Sequence, residues 1–181
     1  SVREAVDAIA ALDRAAGGLE YVEQPCASVA ELAQVRRMVA VPIAADESIR
    51  RADDPYDVVR HDAVDLAVLK VAPLGGVRAA LQIALDIGLP VVVSSAVDTS
   101  VGLAAGVALA AALPELPYAC GLNTASLLAR DVSSMPLRAV DGAIEVPAAR
   151  VQPDAFDSVA ADEPTYERWR QRLADVAGAC P

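Results

Sequence analysis

The sequence is short of aromatic residues, cysteine, histidine and, above all, lysine, and each shortage removes a class of protein. Aromatics make up only 3% of the 181 residues while Ala, Val and Leu dominate. That balance argues against an all-β fold and for helices packed closely on a buried parallel sheet, whose strands read as continuous Val/Ile/Leu runs. The three cysteines, Cys26, Cys120 and Cys180, are odd in number, far apart and without a CxxC pair. Neither a disulfide framework nor a thiolate zinc site follows, and reduced thiols in a cytoplasmic protein are expected. The lone histidine, His61, lies in the helix-to-strand loop VRHDAVD and reads as a solvated loop residue, so His-based triads are excluded from this part of the chain. Cations are few: 15 Lys+Arg against 25 Asp+Glu leave a net charge of −10 and a pI near 4.5. Such a surface repels a phosphate backbone and an anionic bilayer, so neither nucleic acid nor a membrane is an expected partner. The longest uncharged apolar stretch, Val101 to Leu113, is shorter than the roughly 20 residues a membrane helix needs and reads as a buried helix. The opening SVREAVDAIAALDRAAGG alternates charged and apolar residues at helical spacing, with Ser1 as a natural N-cap, and has no signal-peptide pattern.

What is present is a chain 55% apolar, enough for one ordinary core. Strands are predicted over residues 19–22, 42–45, 66–69, 90–93 and, less sharply, 118–122. Helices are predicted over 28–39, 53–61, 76–87 and 101–112. This alternation is the signature of βαβ units and a parallel sheet, so the class is α/β. The polar residue closing each apolar run recurs at Glu23, Asp46, Lys70 and Ser94, in steps of 23, 24 and 24 residues. Equal units favour a barrel, which repeats one unit around an axis, over a doubly wound sheet with its switch in direction. Five strands fall short of eight, and a whole barrel takes about 250 residues. A partial (β/α) TIM-type barrel over 1–125 is therefore expected, starting at the third helix. A tail over 126–181 follows, with a short strand at 143–146 after Asp141-Gly142 and an amphipathic helix near 164–178, packed outside the barrel. The open edge of strand 19–22 is an expected site of self-association.

A barrel gathers the carboxyl ends of its strands at one mouth, which brings Glu23, Asp46, Lys70 and Ser94 together. Lys70 is the only lysine in a chain that otherwise uses arginine. An amine that can release its proton is what arginine cannot supply. Closing the apolar run DLAVLK, Lys70 is expected to be partly desolvated, which suits general-base, Schiff-base or enolate-stabilising work, the bland reading being a snorkelling lysine. Glu23 and Asp46 repel each other unless a hard divalent cation lies between them, and an all-oxygen site of this kind suits Mg²⁺. Taken singly, Asp46 reads equally well as a helix N-cap and Glu23 as half of an ion pair. Gly75-Gly76 opens the next helix and offers backbone N–H groups to an anion. Ser94 and Ser95 either bind a carboxylate or turn the chain toward the next helix. The Arg50-Arg51 and Asp53-Asp54-Pro55 clusters read as surface charge and a helix start.

In that order and at that spacing, YVEQPC, PIAADESI, LAVLKVAPLGGV and VVVSSAVDTSVGLAAG resemble consecutive strand-end motifs of the o-succinylbenzoate synthase family of the enolase superfamily, particularly its actinobacterial type, over residues 1 to about 125. The resemblance implies a capping domain on a modified (β/α)₇β barrel, of which this chain holds the third helix onward. It implies Glu23 and Asp46 as two Mg²⁺ ligands, with a third ligand and a KxK base expected upstream. Lys70 becomes the cation that steadies an enediolate, Ser94 or Ser95 seats an anionic small-molecule substrate, and Glu47 stands behind the ligands. It further implies a syn dehydration that ends in 2-succinylbenzoate, which the chain alone would not complete. A racemase or epimerase of the same superfamily would use Lys70 as a true acid/base. Readings from other classes are an imine-forming aldolase and a non-catalytic half-barrel that needs a partner chain.

Overall fold

The computed structural model of the protein describes residues 1–50 and 54–179. Four parallel strands, β1 (Val22–Glu23), β2 (Ile43–Ala45), β3 (Leu66–Lys70) and β4 (Val91–Ser94), pair in sequential order with no reversal. Between them run α2 (Val29–Arg36), α3 (Asp54–Arg60) and α4 (Val77–Ile87), with α1 (Val2–Ala16) before and α5 (Ser100–Ala112) after. The predicted strands and helices are each recovered to within a few residues, apart from the fifth strand and the short strand of the tail. Residues 51–53, which include Arg51 and Asp53, lie outside the described residues, as does Cys180. Cys26 and Cys120 are free thiols.

Period two decides which face each strand residue takes. Ile43, Ala45, Ala67, Leu69, Val91 and Val93 point to one side and form the main core with Leu32, Val35, Val58, Ile83, Leu103 and Leu109 from the helices. Burying each of the large aliphatic side chains contributes about 1.5–3 kcal/mol. Ala44, Leu66, Val68 and Val92 point to the other side and form a second, smaller cluster covered by Tyr21 and Tyr118. Helices thus cover one face only, and sequential strand order with a filled concave face makes this a barrel segment. In a doubly wound sheet both faces would carry helices. The Tyr21 and Tyr118 rings meet edge to face, centroids 5.3 Å apart, so the segment entering β1 and the segment following α5 meet over this second cluster.

Three expectations are corrected. The first strand begins at Val22 rather than at residue 19, because the Leu19 N–H is held by the Asp13 carboxylate 2.8 Å away, at the turn that ends α1. The fifth strand shrinks to one parallel bridge between Ser94 and Gly121: Pro114 and Pro117, which lack donors, precede it. The tail strand at 143–146 does not form. Asp141 and Gly142, both at positive φ (49° and 79°), build a tight turn that closes one antiparallel bridge, Val140 to Ala143, and nothing pairs beyond it. The terminal helix α6 (Glu163–Ala179) does form, and it turns Tyr166, Trp169, Leu173 and Val176 to solvent. No described helix is long and apolar enough to cross a membrane.

The tail is tied to the barrel at the start of α5. Ser100 is fully buried, and its N–H and hydroxyl donate to the Asp131 carboxylate at 3.0 and 2.7 Å. The same hydroxyl accepts from the Leu137 N–H at 2.8 Å. Asp131 is therefore the cap of α5, supplied from 31 residues away. Burial pushes its carboxyl up, but the bonds from Ser100, Ser133 and Val132 outweigh that and hold it below the usual carboxylate range. Asp131→Ala is expected to cost about 1–2 kcal/mol, the loss of a cap. Because the folded-state pKa is depressed, the contribution is complete above the unfolded carboxylate value and disappears as pH falls through the folded one. Urea unfolding of both proteins at neutral and strongly acid pH checks this; an equal gap at both would contradict it.

Candidate active site

The period that sorts the core also gathers the polar strand ends. Glu23 shares a face with Tyr21, Asp46 with Ala44, Lys70 with Leu66 and Val68, and Ser94 with Val92. All four therefore stand on the concave side, at the carboxyl ends of their strands. Lys70 is directly opposite Ser94 in the ladder. The structure brings together the residues that the sequence spacing singles out.

Lys70 and Asp46 form the centre. Lys70 is 9% exposed and Asp46 4%, and the lysine Nζ donates to both carboxylate oxygens, 2.5 Å from Oδ1. Removing two charges from water is costly unless each neutralises the other at close range, and here each does. Glu23 lies beside this pair at the end of the neighbouring strand and, unlike it, stays exposed. Desolvation first, and then the Asp46 charge, push the Glu23 carboxyl above its usual range, while Lys70 pulls the other way. Two carboxylates forced together on adjacent strands make a donor set of hard oxygens, and this fits two positions in the shell of a divalent cation such as Mg²⁺. No cluster of three or more His, Cys, Asp or Glu able to hold a metal exists among the described residues.

Other candidates fall differently. The Ser95 hydroxyl is spent inside the fold: it donates to the Gly121 carbonyl at 2.7 Å and pairs with Thr124 Oγ1 at 2.9 Å. Ser94, of the two serines, is the one at the mouth. Gly121 lies against it, since a Cβ there would come within 2.7 Å of Ser94 Oγ. Glu47 is exposed and reaches Asp46 only through Arg50, which lies 3.3 Å from Glu47 Oε1 and 3.6 Å from Asp46 Oδ1. Arg50 is thus part of the charge network and not the plain surface cation expected of it. Gly76 caps α4 at φ 115°, a conformation open to glycine, with no side-chain bond at the cap. His61 is exposed and its Nδ1 meets the Asp57 carbonyl, away from the strand ends. Two residues escaped the sequence reading: Thr124, described above, and Gln24, which bridges the ends of β1 and β2.

Fold and strand ends together define a parallel (β/α) barrel segment with a carboxylate and lysine cluster at its mouth. Residues 1–150 match the enolase C-terminal domain-like family, and the chain belongs to it. It is 60% identical over 178 residues to o-succinylbenzoate synthase of Thermobifida fusca, covering 98% of this chain and 55% of the relative. To the o-succinylbenzoate synthase of Mycobacterium tuberculosis it is 56% identical over 174 residues, covering 95% of this chain and 52% of the relative. The chain spans about half the length of these relatives. Among solved structures, muconate cycloisomerase from Pseudomonas fluorescens superposes with a TM-score of 0.79 at 25% identity, over 88% of this chain and 46% of that one. The L-Ala-D/L-Glu epimerase from Bacillus subtilis gives 0.74 at 28% identity, over 83% and 43%.

Proposed function

We propose that the chain is the barrel part of an o-succinylbenzoate synthase, a hydro-lyase that removes water from 2-succinyl-6-hydroxy-2,4-cyclohexadiene-1-carboxylate to form 2-succinylbenzoate in menaquinone biosynthesis. The observation that carries this reading is identity of 56–60% along nearly the whole chain to proteins of that name, and the strand-end cluster supplies chemistry that suits it. Glu23 and Asp46 are the carboxylates that would hold Mg²⁺. Bound there, Mg²⁺ supplies positive charge close to the substrate carboxylate and makes loss of the α-proton easier. Lys70, buried and the only lysine in these 181 residues, is the cation that stands against the negative charge developing on the substrate. Ser94 offers a hydroxyl to the anionic substrate, and the aliphatic interior beneath it excludes water, which strengthens each of these interactions. The proton-abstracting base and a third carboxylate are assigned to the part of the relatives' length that this chain does not span.

The test is dehydration of the cyclohexadiene substrate, followed by ultraviolet absorbance with Mg²⁺ and with EDTA, for this chain alone and for a protein of the relatives' full length that carries it. Turnover by the longer protein, Mg²⁺-dependent and absent from the chain alone, is the expected result. The similarity to a dipeptide epimerase favours a second reading in which Lys70 moves a proton. A longer protein inert toward the cyclohexadiene but able to exchange the α-proton of an N-acylamino acid or dipeptide would replace the first reading with the second.

A further inference from the structure

Glu23 and Asp46 have to be held together against their own repulsion, and the strand ladder does not reach far enough to do it. The pairing of β1 with β2 ends at Glu23 opposite Ala44, with one more bond from the Gln24 N–H to the Ala44 carbonyl at 2.9 Å. Asp46 lies two residues beyond that rung. From Gln24 onward the connection is made by a side chain. Gln24 Oε1 accepts from the Asp46 N–H at 3.0 Å and from the Ser48 N–H at 3.2 Å. Its Nε2 donates to Ser48 Oγ and to the Cys26 carbonyl, both at 2.8 Å. These four bonds use both amide hydrogens and both carbonyl lone pairs, and only this orientation of the amide satisfies the two backbone donors. Gln24 also sits at φ 42°, a left-handed backbone that long side chains rarely adopt and glycine adopts freely. A glutamine at a position that suits glycine points to a need for the amide.

We propose that Gln24 is the positioning residue of the divalent-cation site: its side-chain amide fastens the Asp46–Ser48 turn to the end of β1 and so sets the distance between the two carboxylates. The inference rests on the reading of Glu23 and Asp46 as ligands. It assigns Gln24 no contact with ion or substrate.

Two variants separate the amide from the backbone. Gln24→Met keeps the length and loses the bonds; Gln24→Gly loses the bonds and relaxes the backbone. Ile83→Val, on the buried face of α4, is the comparator for a change that only weakens the fold. Mn²⁺ binding to the protein of the relatives' full length is measured by the electron paramagnetic resonance signal of the free ion, alongside exchange of the Asp46 and Ser48 amide hydrogens. Both Gln24 variants are expected to bind Mn²⁺ at least ~10-fold more weakly and to exchange those two hydrogens faster, while Ile83→Val binds like the unaltered protein. Unaltered protein that binds Mn²⁺ together with Gln24→Gly binding within about twofold of it would overturn the role of Gln24 and leave the proposed function standing. Unaltered protein that binds no Mn²⁺ would overturn the ligand reading, and the inference with it.

Discussion

Lys70→Ala is expected to lower kcat/KM for the dehydration by about 10³-fold or more, and to destabilise the metal-free protein by about 3–5 kcal/mol. The two effects share one origin. Asp46 is 4% exposed and receives both of its close donations from Lys70, so truncation leaves a buried carboxylate with, among the described residues, Arg50 at 3.6 Å for compensation. Breaking one side of a buried pair is costly because the other charge stays behind. A divalent cation brought to Asp46 replaces the missing charge, so Mg²⁺ is expected to stabilise Lys70→Ala more than it stabilises the unaltered protein. Urea unfolding of both, with Mg²⁺ and with EDTA, measures this, and an equal metal effect in the two would contradict it. Lys70→Arg separates the roles open to the lysine. Arginine keeps the charge and cannot give up its proton. Residual dehydration well above that of Lys70→Ala identifies an electrostatic role, whereas activity as low as that of Lys70→Ala identifies proton transfer by the amine.

The centre of the site was legible because it obeys the period of the fold. Glu23, Asp46, Lys70 and Ser94 each end an apolar run, and a barrel repeats its unit at a nearly constant length, so even spacing alone places them at one mouth. The single lysine in an arginine-rich sequence added a chemical reason to begin at position 70. What was not legible acts through loops. Gln24 reaches Asp46 and Ser48 across 22 and 24 residues, and nothing in YVEQPC marks its backbone as left-handed. Arg50 lies in a polar cluster whose composition matches any surface, and only the turn after Asp46 brings it to the carboxylates. Ser94 and Ser95 are equivalent as letters; alternation sends one to the mouth and the other to Gly121 and Thr124. The cap on α5 was missed for the same reason, since Asp131 lies 31 residues from the Ser100 it serves. The fifth and tail strands were over-read because apolar residues beside turns resemble strands until a proline or a tight turn removes the partners.

Glu23→Gln is expected to change activity and stability in opposite directions. Replacing a proposed ligand with a neutral amide removes the second carboxylate of the cation site, and a loss of about 10²–10³-fold in kcat/KM follows from weakening charge stabilisation at the reacting centre. In the metal-free protein the same carboxylate, exposed though it is, is pushed above its usual range by partial desolvation and by the Asp46 charge, so its ionised form is the less favoured one there. An acid raised on folding binds more protons in the folded state than in the unfolded one over the window between the two values. Its stability is therefore greatest below the unfolded value and declines as pH rises through the folded one. Glutamine has no such decline. In EDTA the variant is expected to lose less stability than the unaltered protein between pH 4 and pH 8 and to melt higher at neutral pH. With Mg²⁺ present the order is expected to reverse, since the ion then stabilises the carboxylate pair by binding it. Melting curves at several pH values with EDTA and with Mg²⁺ decide the matter. A variant that melts below the unaltered protein at neutral pH in EDTA would show that Glu23 stabilises the fold and is not held there at a cost. The expected order would instead mark the mouth as a place where the fold accepts repulsion in order to hold a cation, as functional sites commonly do.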